Sequence, residues 1–225
     1  MALTLYMHPA SITSRPVRLF IAEKRIDVVE RVIDIVTGEH YKDEYLAINP
    51  NRQVPTLEDG AFRLTECSTI LKYLAARFDA PEYPRALEAR AKVDEAMDWF
   101  NCQLYRDFAY EFIYPQVFPH LRRPTETDQH LTIMRGKEKA SFWFEVLERH
   151  LLGPRDFVAN NQLSIADYLG GCIVAAGDMI GCTLEAYPNV RRWMGRIKGL
   201  ESWPRVSDVM CRFAEQLQGT KFVTL

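Results

Sequence analysis

The sequence predicts two joined units, a small α/β sandwich over residues 1–78 and an all-helical unit over residues 87–225, with a linker at 79–86. Three observations predict it. Strand and helix signals alternate through the first 78 residues. The run Asp79-Ala80-Pro81-Glu82-Tyr83-Pro84 then carries two prolines and no periodicity, which reads as a connection between domains. Beyond it no strand signal of any length appears, only apolar residues at helical spacing. A length of 225 residues suits one large domain or two of ordinary size.

Taken in order, Leu3 to Met7 reads as a short apolar strand and His8-Pro9-Ala10-Ser11-Ile12-Thr13 as a loop. Ser14 is expected to cap a helix with Pro16 in its first turn, where a missing N–H is tolerated. That helix buries Val17, Leu19, Phe20, Ile21 and Ala22 and runs to about Arg25. Val28 to Ile35, rich in β-branched residues, is a second strand feeding the turn Thr37-Gly38. His40 to Ile48 is a short helix or helical turn that stops before Asn49-Pro50. A third strand starts at Pro55, Phe62-Arg63-Leu64 is its hairpin partner, and a helix spans Thr65–Ala76. The order β-α-β-α-β-β-α is that of a thioredoxin-like α/β sandwich, a βαβ half followed by a hairpin half. In the second unit Leu87 to about Tyr114 is one long helix ended by Pro115 and Pro119. Glu126 to Leu152 is another, closed by Gly153-Pro154. At Leu163-Ser164-Ile165-Ala166-Asp167 a helix opens with Ser164 as cap and Asp167 answering, and it continues through Gly170-Gly171. Pro188–Gly199 and Pro204–Leu217 add two more helices.

Composition excludes several function classes. Apolar residues make up 48% and charged residues 26%, typical of a globular protein. The formal charge of -2 points to neither nucleic acid nor an acidic membrane surface as partner. No apolar run approaches the roughly 18 residues of a spanning helix, so no membrane partner is expected. The opening Met1–Tyr6 lacks a basic flank and a long apolar core, so it does not read as a signal peptide. Cys67, Cys102, Cys172, Cys182 and Cys211 are odd in number and form no C-x-x-C pair, which reads as reduced thiols in a cytoplasmic setting. The histidines at 8, 40, 120, 130 and 150 show no ligand spacing with them, so no metal site is expected.

The stretch Asn49 to Ile70 is the most informative. Pro55 marks the start or edge of a strand, and it pushes Val54 extended with its backbone groups free to face a ligand. The Val54–Pro55 bond can also be cis. Asp59-Gly60 turns between two short apolar runs, and Thr65-Glu66-Cys67-Ser68 opens the next helix. An extended segment and a helix N-terminus together offer backbone donors to the two ends of a small peptide-like ligand. An ordinary hairpin leading into a helix would read the same way.

Five segments in order carry a resemblance: LYMHPASITSRPVRLF, TGEHYKDEYLAINP, QVPTLEDG, LTECSTILKYLA and LSIADYL. With the linker, they resemble the cytosolic glutathione S-transferases, most of all the theta class and its bacterial relatives, over nearly the whole chain. The resemblance implies glutathione as co-substrate, a small apolar electrophile as second substrate, and a homodimer with the 66–78 helix and long helices at its interface. A free thiol with a pKa near ~8.5 is only ~3% thiolate at pH 7, and lowering it by about 2 units is worth roughly 2.7 kcal/mol. A hydroxyl donating to the sulfur near a helix N-terminus supplies much of that. The loop before the first helix offers Ser11, Thr13 and Ser14, and by similarity to the theta serine Ser11 is that hydroxyl. Its other reading is a turn serine satisfying backbone, and Tyr6 is its rival, because other classes of the family use a tyrosine at the end of this strand. The resemblance further implies that Val54 pairs with the cysteinyl unit, in the manner a cis Pro55 presents. Glu66 would hold the γ-glutamyl amine, the N–H at Cys67 the adjacent carboxylate, and His40 and Gln53 the glycyl end or the backbone.

Two positions depart from the family pattern. Arg52 stands where glycine is usual, so it is either strained by a positive φ or in a changed turn that lets its guanidinium reach the glycyl carboxylate. Cys67 stands where the family has serine, and a weak thiol donor forfeits about 1.5 kcal/mol toward a charged acceptor, which implies weaker glutathione affinity. The electrophile is expected between the 8–13 loop and the first long helix, where Asn101, Tyr105, Phe108 and Phe112 recur at helical spacing with Arg106 and Tyr110 beside them. The competing reading of that stripe is plain core. Thr220–Leu225 is a tail that covers this cleft or lies free. The expected activity is conjugation or displacement by the glutathione thiolate, with dehalogenation suggested by the HPAS loop and peroxide reduction also open. A non-catalytic binding or assembly module is the alternative.

Overall fold

A computed structural model describes residues 3–225. The reading of the chain's opening rests partly on Met1 and Ala2, which lie outside the described residues.

Four strands form one mixed sheet in the order β2-β1-β3-β4, with β1 (Leu3–Met7), β2 (Val28–Val32), β3 (Thr56–Asp59) and β4 (Phe62–Leu64). β1 runs parallel to β2 and antiparallel to β3, and β3 pairs antiparallel with β4 across the Asp59-Gly60 turn. Because strand side chains alternate, Leu3, Leu5 and Met7 enter the main core while Tyr6 points to the other face, against Ile33, Tyr45 and Val54. On the core face lie α1 (Ser14–Glu23) and α3 (Cys67–Arg77), and α2 (Asp43–Leu46) follows a 3-10 turn at Glu39–Tyr41. This is the thioredoxin-like sandwich, with β2 three residues shorter than expected because β1 ends at Met7: the Ile33 N–H still donates to the Met7 carbonyl (2.8 Å), and beyond it Asp34 and Ile35 have no residue of β1 left to pair with.

The helical part packs directly on α1 and α3, so one apolar core runs from Leu5 and Leu57 through Phe20 to Tyr168 and Trp193. Its first helix, α4 (Leu87–Trp99), continues as a π-helical stretch over Phe100–Ile113 and then as α5 (Tyr114–Val117). The proline at 115 does not stop this rod, because it falls near the start of a fresh α-turn, where its missing N–H is not needed. Helix α6 (Glu126–Val146) is capped by the Thr125 side chain and runs into a π turn ending at Gly153. In α7 (Ile165–Val174) the Ser164–Asp167 capping box is formed, and α8 (Pro188–Lys198) and α9 (Trp203–Gln216) close the bundle. Gly170 lets α7 approach the π stretch, since a Cβ there would sit 2.1 Å from Phe100 Cζ. Among the described residues no helix is long and apolar enough to cross a membrane.

Candidate active site

The site grows from the junction of three chain segments: the loop after β1, the turn before β3, and the first turn of α3. In the first, Ser11 N–H donates to the His8 carbonyl (3.0 Å) and Arg15 N–H donates to the Ser11 carbonyl (3.1 Å). The N–H of Ser14 donates to Ser11 Oγ at 3.1 Å. Ser11, not Ser14, therefore holds the start of α1, with its oxygen at the positive end of that helix. Ser14 is buried inside the first turn, its Oγ 3.5 Å from the His8 N–H. The expected Ser14 cap is thus not formed: Thr13 stands at the N-cap position without a side-chain cap bond, and the Ser11 hydroxyl receives the Ser14 N–H instead. Capping and thiol activation are compatible in one hydroxyl, because the cap uses a lone pair of the oxygen and leaves the proton free to be aimed elsewhere.

In the second segment, the Val54–Pro55 bond is cis. Val54 N–H has no protein acceptor among the described residues, while its carbonyl accepts from Thr13 Oγ1 at 2.9 Å. Thr13 Oγ1 also lies 3.1 Å from Ser11 Oγ. The turn is held from beneath by residues with no expected site role. Tyr45 donates its hydroxyl to the Gln53 carbonyl (2.6 Å), and buried Asn49 donates Nδ2 to the same carbonyl (2.7 Å) and to Thr56 Oγ1 (3.0 Å). Asn49 Oδ1 accepts from Asn51 N–H at 3.0 Å, the one part of this network that an Asn-Pro turn announces in sequence. Gln53 itself is exposed. Arg52 has φ +59°, so the glycine-like turn is retained with arginine in it, and its exposed guanidinium makes no ion pair among the described residues.

The third segment starts with Glu66 at φ +65°, an unusual conformation for a side chain of this size, which leaves its carboxylate in solvent beside the first turn of α3. The N–H groups of Cys67 and Ser68 have no acceptor within the helix. Cys67 is 6% exposed, and burial, then Cys172 and Glu66, push its thiol well above the ordinary range. That thiol stays protonated, so the backbone at 67, more than the side chain, is what the site offers. His40, at the 3-10 turn, keeps Nδ1 buried with no hydrogen-bond partner among the described residues, and its ring centroid lies 3.9 Å from that of Tyr41. Burial lowers its pKa against the pull of Asp34.

Tyr6 is directed elsewhere. Its hydroxyl donates to Glu58 Oε2 at 2.7 Å, and burial followed by Glu58 raises its pKa. A phenol so held is a poor thiol activator.

The expected electrophile wall separates into two groups. Phe108 and Phe112 are at most 1% exposed, with Phe108 packed edge-on against Phe144 at 4.9 Å, so both belong to the core and not to a cleft. The helical spacing that grouped them with Asn101 and Tyr105 assumes an α-helix. In the π stretch each turn closes through i→i+5 bonds, and the faces rotate relative to that pattern. Asn101 and Tyr105 remain half-buried and Arg106 exposed, although Arg106 is engaged with Asp107 through two 3.0 Å bonds. Burial drives the Asp107 carboxyl up, but Arg106, Trp143 and Lys139 hold it down at about 2. Tyr105 joins Tyr110 and Tyr114 in an aromatic cluster, its hydroxyl 3.0 Å from that of Tyr114. The tail docks near it: Val223 N–H donates to Gln116 Oε1 (2.8 Å) and Gln116 Nε2 donates back to the Val223 carbonyl (3.1 Å).

Comparison with known proteins decides the family. Residues 1–76 match the family described as Glutathione S-transferase, N-terminal domain, and residues 67–201 match Glutathione S-transferase, C-terminal domain. This chain belongs to the glutathione S-transferase family. It is 32% identical to human glutathione S-transferase theta-2 over 222 residues, covering 96% of this chain and 90% of that one. The structure of human glutathione transferase theta-2, a complex with glutathione and an unknown ligand, superposes with a TM-score of 0.87 at 28% identity, covering 100% of this chain and 94% of that one. A human theta-class transferase in complex with the glutathione conjugate of 1-menaphthyl sulfate gives a TM-score of 0.87 at 29% identity, over 100% and 94% of the two chains. The thioredoxin-like and helical parts are thus those of a glutathione S-transferase of theta-like type. Among the described residues no group of three or more His, Cys, Asp or Glu is placed to hold a metal ion.

Proposed function

We propose that this glutathione S-transferase uses Ser11 to stabilise the thiolate of glutathione for attack on a small apolar electrophile. The observation that carries the reading is the meeting of Ser11 Oγ, at the N-terminus of α1, with Val54, whose N–H has no protein acceptor among the described residues; Thr13 touches both. A peptide laid antiparallel along Val54 brings its cysteinyl sulfur toward Ser11. The exposed Glu66 carboxylate takes the γ-glutamyl amine, and the free N–H groups of α3 take the neighbouring carboxylate. In this reading the glycyl side falls to His40, Gln53 and Arg52, whose guanidinium makes no ion pair among the described residues. The electrophile lies between the 8–13 loop and Asn101, Tyr105 and Arg106, with Tyr110 and Tyr114 extending an aromatic wall. Displacement reactions, dehalogenation among them, need only a thiolate, proximity and room for a leaving group.

The names of the relatives favour a transferase over a non-catalytic module. A homodimer built on the 66–78 helix and the long helices is part of this reading, supported by the exposed Phe62 and Phe78 near α3. So is a reducing, cytoplasmic setting, supported by five free cysteines. Domain limits at 78 and 87 are retained with it.

The test is a pH–rate profile with a chloro-nitro-aromatic. Ser11→Ala lowers kcat/KM at pH 6.5 by about 30-fold, corresponding to one charge-assisted hydrogen bond of roughly 2 kcal/mol. Most of that loss is recovered above pH 9, where the thiol ionises unaided. Tyr6→Phe stays within about threefold across the range. The reverse ranking overturns the assignment of Ser11.

A further inference from the structure

Three hydroxyl and carbonyl oxygens form a short chain under the site: Ser11 Oγ, Thr13 Oγ1 and the Val54 carbonyl, separated by 3.1 and 2.9 Å. The direction of the protons along it follows from counting. A carbonyl has no hydrogen to give, so Thr13 must donate to Val54. A hydroxyl has one proton, so Thr13 has none left for Ser11, and the Ser11–Thr13 contact has Ser11 as donor. Ser11 Oγ meanwhile receives the N–H of Ser14. Without ligand, the proton needed at sulfur is therefore turned away from it, toward Thr13.

Deepening the Ser11 reading, and resting on it, we propose that Thr13 is a positioning residue that couples occupancy of the Val54 carbonyl to the direction of the Ser11 proton. When the cysteinyl N–H of glutathione donates to Val54 O, that carbonyl has a second donor, and sharing its electron density between the two weakens the bond from Thr13 relative to one from Thr13 to Ser11. Thr13 rotates about its Cβ–Oγ1 bond and donates to Ser11 Oγ, and Ser11 turns its own proton to the sulfur. No covalent bond is made or broken. The chain simply reverses, from Ser11→Thr13→Val54 to Thr13→Ser11→sulfur. In the reversed state Ser11 Oγ receives two donors, from Thr13 and from the Ser14 N–H, which polarises its O–H and makes it a stronger donor to a thiolate. Peptide backbone recognition at Val54 thus switches on the nucleophile some distance along the same ligand.

The experiment measures the pKa of the bound thiol by ultraviolet thiolate absorbance, with the full-length protein saturated with glutathione. Thr13→Val, of equal shape without the hydroxyl, raises that pKa by about 0.5 unit, and Thr13→Ser restores it. On the native protein, a glutathione analogue with an ester in place of the γ-glutamyl–cysteinyl amide cannot donate to Val54. Its thiol pKa rises on binding to wild type relative to bound glutathione, after correction for the free ligands, and this difference disappears in Thr13→Val. If Ser11→Ala raises the thiol pKa while Thr13→Val and the ester leave it unchanged, the switch is overturned and the Ser11 reading stands. If Ser11→Ala also leaves it unchanged, both fall.

Discussion

Replacing Asp167 by asparagine tests how the helical part is held beneath the site. Asp167 is fully buried and accepts four donors: Val158 N–H (3.0 Å) and Trp193 Nε1–H (2.9 Å) at Oδ1, and Ser164 N–H (2.8 Å) and Ser164 Oγ–H (2.7 Å) at Oδ2. Burial favours the neutral acid and the four donors favour the anion. Burial wins, and the carboxyl is pushed from 3.8 up to about 6, a difference of about 3 kcal/mol between the protonation states. The folded protein therefore binds a proton that the unfolded chain does not in the window between those values. The stability tied to that proton is fully present below pH 3.8 and is lost as pH rises through about 6. The amide of the Asp167→Asn variant cannot titrate. It keeps an oxygen for Val158 and Trp193 but sets an NH2 against the Ser164 N–H, an unpaired buried donor costing about 1–3 kcal/mol at every pH. Of the three pH values tested, the deficit of Asp167→Asn relative to wild type is thus largest at pH 4, and it shrinks by about 2–3 kcal/mol by pH 7.5, roughly 5–10 °C in Tm. Urea unfolding followed by tryptophan fluorescence at pH 4, 6 and 7.5 measures it. A deficit that is constant, or that grows with pH, would show that the donors keep the carboxylate ionised throughout and that the reasoning from burial is wrong.

Other consequences follow from single contacts. Asn49→Ala removes two donors and an acceptor beneath the Val54 turn, so glutathione binding by calorimetry weakens about 5–10-fold; unchanged affinity would detach that turn from the ligand. Gly170→Ala drives a methyl into Phe100, which is itself stacked on Trp193, and lowers stability by about 1–3 kcal/mol, with activity per folded molecule retained. A melting temperature within a degree of wild type would mean that α7 can slide. Arg52→Gly relieves a positive φ, raising stability by up to about 1 kcal/mol less the flexibility that glycine adds to the unfolded chain. If the guanidinium holds the glycyl carboxylate, glutathione affinity falls about tenfold in the same variant, and equal affinity removes Arg52 from the site.

Much of the molecule is legible from the sequence because its signals are local. Alternating apolar residues, the prolines at 16, 55 and 188, and the Ser164-to-Asp167 spacing each act through neighbours within a turn or a strand, so the element order and the capping box are read directly. The five ordered segments likewise bring Ser11, Val54, Glu66 and Cys67 to attention. The tertiary structure alone decided which way those groups face. Phe108 and Phe112 share a periodic stripe with Tyr105, but the π register and the packing of α6 send them into the core. Tyr6 and Ser11 are both hydroxyls near the end of β1, and only the pairing of β1 with β3 gives Tyr6 to Glu58. Thr13 is in sequence only one of three hydroxyls in its loop, since its part comes from a carbonyl 41 residues away. Sequence by itself determined the elements and their order, because those depend on short-range sterics and burial periodicity. Donor direction, face and partner were settled by the fold, because each depends on atoms that chain closure brings together.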